Sequence, residues 1–237
     1  MNEFWESSIK KGYYDIVLSE GLEKGRSIQS NWHHISFTKI SSKLSNQKTH
    51  LDYACGPGSL IGRYTNLDST GVDISKNQID YAKDNFSSKG VFMTIENYNK
   101  KDYLKNFDVI TIMGLFEFLS DDEIVSLLDN LYEDLESGGK LYSTTLNFQT
   151  PLKTVLFFQK KFSENDYSDE HINIFNKEKL LTILNKTKFS NIKINKFMTF
   201  GVFFSFLSNN FGFRLNKFIE GISFRKYGFL LLIELTK

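Results

Sequence analysis

Short apolar runs alternate along this chain with longer stretches in which apolar residues recur every three or four positions. The runs Thr49–Ala54, Thr70–Ile74, Val91–Ile95, Phe107–Met113 and Lys140–Leu146 read as strands. Phe107-Asp108-Val109-Ile110-Thr111-Ile112-Met113 is close to continuously apolar, as strands covered on both faces are. Ser59 is placed to cap a short helix after the first run. Ser75 opens a second helix to Phe86, with Ile79 and Ala82 inward and Gly90 beyond its end. Ser120-Asp121-Asp122-Glu123 has the form of a capping box, ahead of a helix that turns Ile124, Leu127, Leu128, Leu131 and Leu135 inward. Ser137-Gly138-Gly139 stops it. The first 47 residues read as helical, with Ile28, Trp32, Ile35, Ile40 and Leu44 on an approximate stripe. Five strand–helix alternations predict an α/β fold, a doubly wound and mainly parallel sheet.

The texture changes after residue 150. Thr154–Phe162 reads as a short apolar helix and Glu164–Glu170 as an acidic loop. Asn176–Lys186 reads as a helix with Leu180, Leu181 and Leu184 inward. Asn191–Phe200 and Tyr227–Thr236 read as strands. Between them lies an amphipathic helix with Leu215, Phe218, Ile219 and Ile222 on one face. The organisation expected is a helical cap over 1–47 and a main domain over 48–237, with 148–226 supplying substrate-side helices and insertions.

Length and composition, 237 residues with 41% hydrophobic, suit one sizeable core. A net charge of +1 implies no polyelectrolyte partner, but the charge is unevenly spread. Residues 185–237 hold nine Lys/Arg against Glu220 and Glu234, a local +7, and eleven of the 23 phenylalanines; the rest of the chain carries 20 basic and 26 acidic residues. The plain reading puts those phenylalanines in the core and the lysines in solvent. The sharper reading is an apolar, anionic acceptor, a lipid-linked or acidic glycan intermediate met at a membrane surface. The basic residues are too scattered to signal nucleic acid. One cysteine, Cys55, excludes an intramolecular disulfide and suits a reducing compartment. The first residues lack a basic and apolar leader pattern, and no stretch reaches 18 apolar residues. A cytoplasmic protein is expected. No paired-cysteine or His-x-x-x-His spacing suggests a metal.

The chemistry concentrates in Lys48–Leu60, a strand, a glycine turn and a helix start. Asp52 precedes the turn, and Gly71-Val72-Asp73-Ile74 ends the next strand in a second acid. A glycine loop lets backbone approach a ligand closely, and a strand-end acid can grip a ribose diol. Asp52, Asp73, Glu96 and Met113 all fall at or just after strand ends, where ligands of such sheets bind. The dinucleotide fingerprint wants Gly-x-Gly-x-x-Gly; here Ile61 stands in the third position and Gly62 comes one residue late. An acid at Asp52 is awkward beside a pyrophosphate and welcome beside an ammonium.

Asp52-x-x-Cys55-Gly56-x-Gly58, Gly71-Val72-Asp73-Ile74-Ser75, Phe107-Asp108-Val109-Ile110 and Leu135-Glu136-Ser137-Gly138-Gly139-Lys140-Leu141 together resemble the ordered motifs of class I S-adenosylmethionine-dependent methyltransferases, in their small-molecule branch. The resemblance covers about 45–147, and His171–Leu184 is similar to a later part. It implies a seven-stranded Rossmann-like sheet with one antiparallel strand, with S-adenosylmethionine as donor and S-adenosylhomocysteine as product. Asp52 would orient the cofactor's amino group. The loop Ala54, Cys55, Gly56 and Gly58 would pass under the methionine and ribose. Asp73 would accept the ribose hydroxyls, with Ile74 on the adenine, Glu96 or Asn97 at its amino group and Met113 by the methyl. His171, His33 and Glu117 are the candidate bases, and Tyr13, Tyr14, Trp32, Phe118 and Tyr167 the candidate acceptor contacts. Phe118 stands where many relatives carry histidine, which shifts the expectation toward another base or toward positioning alone. The implied function is methyl transfer, on oxygen, to a small-molecule or glycan/lipid-type acceptor. The alternatives are a cofactor-binding protein or partner subunit without turnover, and an NAD(P)-dependent oxidoreductase.

Overall fold

The computed structural model describes residues 6, 9–98, 107–149, 171–223 and 226–237. Its strands are β1 (Thr49–Tyr53), β2 (Asp68–Asp73), β3 (Val91–Thr94), β4 (Phe107–Met113), β5 (Leu135–Leu146), β6 (Asn191–Phe197) and β7 (Leu230–Thr236). They form one seven-stranded sheet in the order β3-β2-β1-β4-β5-β7-β6. The pairs β1–β2, β1–β4, β2–β3 and β4–β5 are parallel. Only β7 is reversed, antiparallel to both β5 and β6. This is the expected doubly wound sheet. The chain winds outward in opposite directions from β1 and β4, so a crevice opens at their carboxyl ends.

The helices are α1 (Tyr13–Lys24), α2 (Ile28–Leu44), α3 (Ser59–Tyr64), α4 (Lys76–Phe86), α5 (Asp121–Asp134), α6 (Lys177–Leu184) and α7 (Asn209–Ile222). Their starts follow local chemistry. The Ser75 side chain accepts from Gln78 N, Asn176 accepts from Lys179 N, and Ser120 and Glu123 form a complete capping box. α3 differs from expectation: Gly58 is its N-cap and Ser59 its first residue. One face of the sheet buries Ile110, Ile112 and Leu231 against Ile124, Leu128 and Leu131 of α5 and Leu180, Ile183 and Leu184 of α6. The other buries Val109, Tyr142 and Leu232 against Ile35, Ile40 and Leu44 of α2. A third cluster packs Ile79, Ala82 and Phe86 of α4 on Ile61 and Phe92.

Several boundaries and faces move. β5 begins at Leu135, pairs there with Phe107, and slips register before Lys140 meets Val109, so Ser137-Gly138-Gly139 is an irregularity inside the strand and not a stop before it. Leu181 is turned outward and Ile183 takes its place in the core. β6 ends at Phe197, and a 3-10 segment, Phe200–Phe206, follows. The two elements expected over 154–162 and 164–170 lie outside the described residues.

The largest departure is α7. Its buried residues are Asn209, Gly212 and Asn216, while Phe218 and Ile222 stand in solvent. Close approach explains this. A Cβ at Gly201 would lie 2.3 Å from Asn216 N, and one at Gly212 would lie 2.8 Å from Ser205 N. At that spacing the interface is stitched by hydrogen bonds. Asn216 Oδ1 accepts from Thr199 N (2.6 Å) and Thr199 Oγ1 (2.9 Å). Asn209 Nδ2 donates to Gly21 O (2.8 Å), and its Oδ1 accepts from Ser27 N (2.8 Å). Asn31 Nδ2 donates to Ser205 Oγ (2.6 Å) and Asn209 O (3.1 Å).

Candidate active site

Asp52 sits next to Gly71 of β2 and Thr111 of β4 in the sheet register, at the switch point. The loop that follows holds three left-handed residues, Ala54 (φ 61°), Gly56 (φ 53°) and Gly58 (φ 76°). That conformation is strained for alanine. Asp73, at the end of β2, anchors the loop: its Oδ2 accepts from Gly56 N (2.8 Å) and its Oδ1 from Ser75 N (2.8 Å). Nothing lies within 4 Å of where a Cβ on Gly56 would point, so the loop presents open backbone. Gly58 serves packing, since its Cβ would meet the Phe92 ring at 2.7 Å. Gly62, the glycine displaced from a dinucleotide fingerprint, lets α3 close on Phe86, which a Cβ would meet at 2.3 Å.

Behind Asp52 runs a buried polar file that sequence reasoning missed. Thr111 Oγ1 donates to Asp52 Oδ1 (2.6 Å), His50 Nε2 lies 2.7 Å from Thr111 Oγ1, and His50 Nδ1 lies 3.1 Å from Ser69 Oγ. Ser69 Oγ is also 3.2 Å from Leu67 O. Burial pushes the His50 imidazole down to about 3, so it is neutral. Burial pushes the Asp52 carboxyl up to about 7, against the Thr111 hydrogen bond and with help from the Asp73 charge. Asp73 is also raised by burial, against the Ser75 and Gly56 amides. With Asp52 ionised, Thr111 donates to it, His50 Nε2–H donates to Thr111, and Ser69 donates to His50 Nδ1. With Asp52 protonated, every bond of the file can reverse and end at Leu67 O. The available signal was two polar residues, His50 and Thr111, inside runs a doubly covered sheet fills with apolar side chains.

Glu6 docks at this edge. Ser75 Oγ donates to Glu6 Oε2 (2.9 Å) and Asn77 Nδ2 to Glu6 O (3.0 Å), beside Asp73. Asp15 is fully buried and accepts from Arg63 through two bonds of 2.7 Å each and from Tyr81 (3.0 Å). This bidentate pair fastens α1 to α3 and α4. Tyr14 meets Tyr13 (5.4 Å) and His33 (5.8 Å) edge to face, and His33 stacks on Phe37. Burial lowers His33 to about 4. Trp32 packs on Phe229, away from that cluster. Ile74 is 37% exposed just past Asp73, an apolar surface at the mouth. Glu96 and Asn97 occupy an exposed 3-10 turn after β3, with Asn97 Nδ2 donating to Thr94 Oγ1 (2.9 Å). Met113 is partly buried at the end of β4.

The ends of β4 and β5 carry the remaining candidates. His171 packs against Phe118 (5.1 Å) and Phe148 (6.3 Å). Glu117 is buried; its Oε1 accepts from Leu146 N (2.7 Å), and its carbonyl accepts from Ile172 N and Asn173 N. It ties the His171 segment to β5, and burial raises its carboxyl. Cys55 is buried, and that burial pushes its thiol up, the opposite of an activated nucleophile. Tyr167 lies outside the described residues. The structure thus gathers Asp52, Ala54, Cys55, Gly56, Gly58, Asp73, Ile74 and Met113 on one edge, His171, Phe118 and Glu117 at the neighbouring strand ends, and Tyr13, Tyr14 and His33 on the cap. Among the described residues no group of three His, Cys, Asp or Glu is placed to hold a metal.

A parallel sheet with paired carboxylates and an open glycine loop at its switch point is a Rossmann-like nucleotide-binding domain. A methyltransferase-domain model matches residues 30–194, and the chain belongs to the S-adenosylmethionine-dependent methyltransferase family. Curated relatives include a ubiquinone/menaquinone biosynthesis C-methyltransferase of Desulfotalea psychrophila, 28% identical over 62% of this chain and 58% of its own length. A malonyl-[acyl-carrier protein] O-methyltransferase of Acetivibrio thermocellus is 25% identical over 42% of this chain and 36% of its own length. The chain spans less than two thirds of either relative. Among solved structures, a plantazolicin methyltransferase holding S-adenosylhomocysteine aligns with a TM-score of 0.60 at 18% identity, covering 100% of this chain and 94% of that one. A methyltransferase from Archaeoglobus fulgidus aligns with a TM-score of 0.55 at 18% identity, covering 85% and 94%. These likenesses establish the shared fold. Family membership makes S-adenosylmethionine the cofactor. The residues present fit it: carboxylates at Asp52 and Asp73, open backbone at Gly56 and an exposed apolar Ile74.

Proposed function

We propose that this chain transfers a methyl group from S-adenosylmethionine to an oxygen of a small, largely apolar acceptor. The carrying observation is the pairing of two settings on adjoining strand ends. One is the carboxylate-and-loop cradle of β1 and β2; the other is His171 against the Phe118 and Phe148 rings. The bound cofactor supplies a methyl on a sulfonium, a good leaving group. What remains for the protein is alignment and exclusion of water. In this reading Asp52 holds the amino group, Asp73 the ribose hydroxyls and Ile74 the adenine face, while Glu96 or Asn97 meets the adenine amino group. Phe118 and Phe148 flank the acceptor's apolar body, and His171 accepts the hydroxyl proton. Tyr13, Tyr14 and Trp32 belong to the cap that closes over the acceptor. Glu117 is a positioning residue here, because its Oε1 is engaged by Leu146 N.

Calorimetry with S-adenosylmethionine, S-adenosylhomocysteine and NAD tests the donor, and only the first two should bind. Asp73→Ala should weaken that binding by roughly 1.5–3 kcal/mol, the loss of charge-assisted bonds; unchanged affinity would remove Asp73 from the site. Turnover is read as S-adenosylhomocysteine release across a panel of hydroxyl acceptors. At saturating S-adenosylmethionine, His171→Gln should lower it about 10²–10⁴-fold. Binding without turnover on any acceptor favours a second reading, a cofactor-binding protein or partner subunit, motivated by Phe118 in place of a histidine.

A further inference from the structure

The outward face of α7 has the opposite chemistry from an ordinary surface helix. Phe211, Leu215, Phe218 and Ile222 follow one another at i, i+4, i+7 and i+11, a single helical stripe. Phe218 is 64% exposed and Ile222 60%, and Phe211 is exposed as well. The patch continues into the 3-10 segment. Phe204 meets Phe211 edge to face at 5.9 Å, and Phe206 and Leu207, both 59% exposed, lead into the helix N-cap. Exposed apolar surface of this kind is unusual on a soluble monomer and marks an interaction site.

The charges around it say what it meets. Arg214 and Lys217 lie exposed on the next rows of the helix, and among the described residues neither has an ion-pair partner. Lys226 and Tyr227 stand exposed just past its end. The one acid of α7, Glu220, is turned inward, where it pairs with Lys39 (2.9 Å) and accepts from Met198 N and Asn216 Nδ2. The solvent side of α7 therefore carries aromatic and aliphatic side chains flanked by positive charge alone. That is the pattern of a helix lying in the interface of an anionic bilayer. A second copy of the chain fits poorly, because a two-fold contact centred on the stripe would bring like cations together.

We propose that α7 and the 3-10 segment before it form a docking surface for an anionic lipid membrane. The position adds sense. Phe200 and Phe203 pack on Phe229 (4.9 and 5.6 Å), whose carbonyl accepts from Asn147 N at the end of β5. Docking holds the acceptor edge of the sheet beside the bilayer. That consequence rests on the methyl-transfer reading; the docking itself does not. No helix of the described residues is long and apolar enough to cross a membrane, so the contact is peripheral.

Flotation with phosphatidylcholine vesicles, with and without phosphatidylserine, tests this at low and high salt. The full chain should float only with phosphatidylserine and be released by salt. Arg214→Glu with Lys217→Glu should lower the bound fraction about tenfold or more, and Phe211→Glu with Phe218→Glu should abolish binding. Far-UV circular dichroism and S-adenosylhomocysteine calorimetry should be unchanged in both variants, which separates lost docking from lost fold or lost donor site. Absence of flotation at low salt overturns the proposal, as does flotation that neither variant changes. A concentration-dependent dimer in sedimentation that Phe218→Glu dissolves also overturns it and gives the face to a second copy.

Discussion

Helices α5 and α7 have the same length, 14 residues, and both separate apolar from polar residues cleanly. They face opposite ways. α5 sinks Ile124, Leu128 and Leu131 under the sheet and leaves its acidic side in water. α7 sinks Asn209, Gly212 and Asn216 and leaves Phe211, Phe218 and Ile222 outside. Periodicity measures how well two faces are separated, and the neighbour decides which face is buried. Under α5 the neighbour is an apolar sheet. Under α7 it is a 3-10 segment with Gly201 and Ser205, close enough that only small residues and satisfied amides fit.

Truncating one large side chain on each helix should break this comparison or secure it. Leu128→Ala should cost about 3 kcal/mol of stability in urea unfolding, the usual result of deleting a fully buried leucine. Phe218→Ala should stay within about 0.5 kcal/mol, because the ring already lies mostly in water. A large loss at Phe218 would mean that α7 is turned the other way. The polar side of α7 should behave as core. Asn216→Ala leaves the Thr199 amide and hydroxyl without their acceptor and should cost about 2 kcal/mol, more than truncating the larger Phe218, because Asn216 is buried and Phe218 is not. Differential scanning calorimetry on the same variants checks the ranking.

The contrast also marks where the sequence was legible. Strand runs buried on both faces, the Ser120–Glu123 box and the acids at Asp52 and Asp73 are local signals. Each carries its meaning within a few residues, and the sheet and the placing of both acids toward the ends of β1 and β2 could be read from them. The orientation of α7 is not local. It depends on Gly201 and Ser205 arriving from another element, and on Asn31 and Gly21 of the cap, up to 188 residues away in sequence. The latch of Asp15 on Arg63 spans 48 residues and was invisible for the same reason. His50 and Thr111 sat in plain view as polar interruptions of apolar strands, but their role needs the register that sets β1 beside β4.

Those two residues give the subtlest test, because they separate two kinds of buried polar cluster. Asn209, Asn216, Thr199 and Ser205 beneath α7 do not titrate, whereas the file behind Asp52 ends in a carboxyl held at about 7. Its folded value lies above its ordinary value of 3.8, so the folded chain keeps a proton that the unfolded chain has released. That stability is fully present below the unfolded value and is lost as pH rises through about 7. Cofactor binding should run the other way. An ammonium favours the carboxylate, so binding below pH 7 expels the proton, and affinity for S-adenosylmethionine should rise by up to about tenfold per pH unit and then level off. Calorimetry in buffers of different ionisation enthalpy measures the released proton directly. Asp52→Asn should flatten the profile. Thr111→Val removes the hydrogen bond that opposes the upward shift, so its plateau should begin at higher pH than in the parent chain; a plateau that stays in place would detach the file from the Asp52 carboxyl.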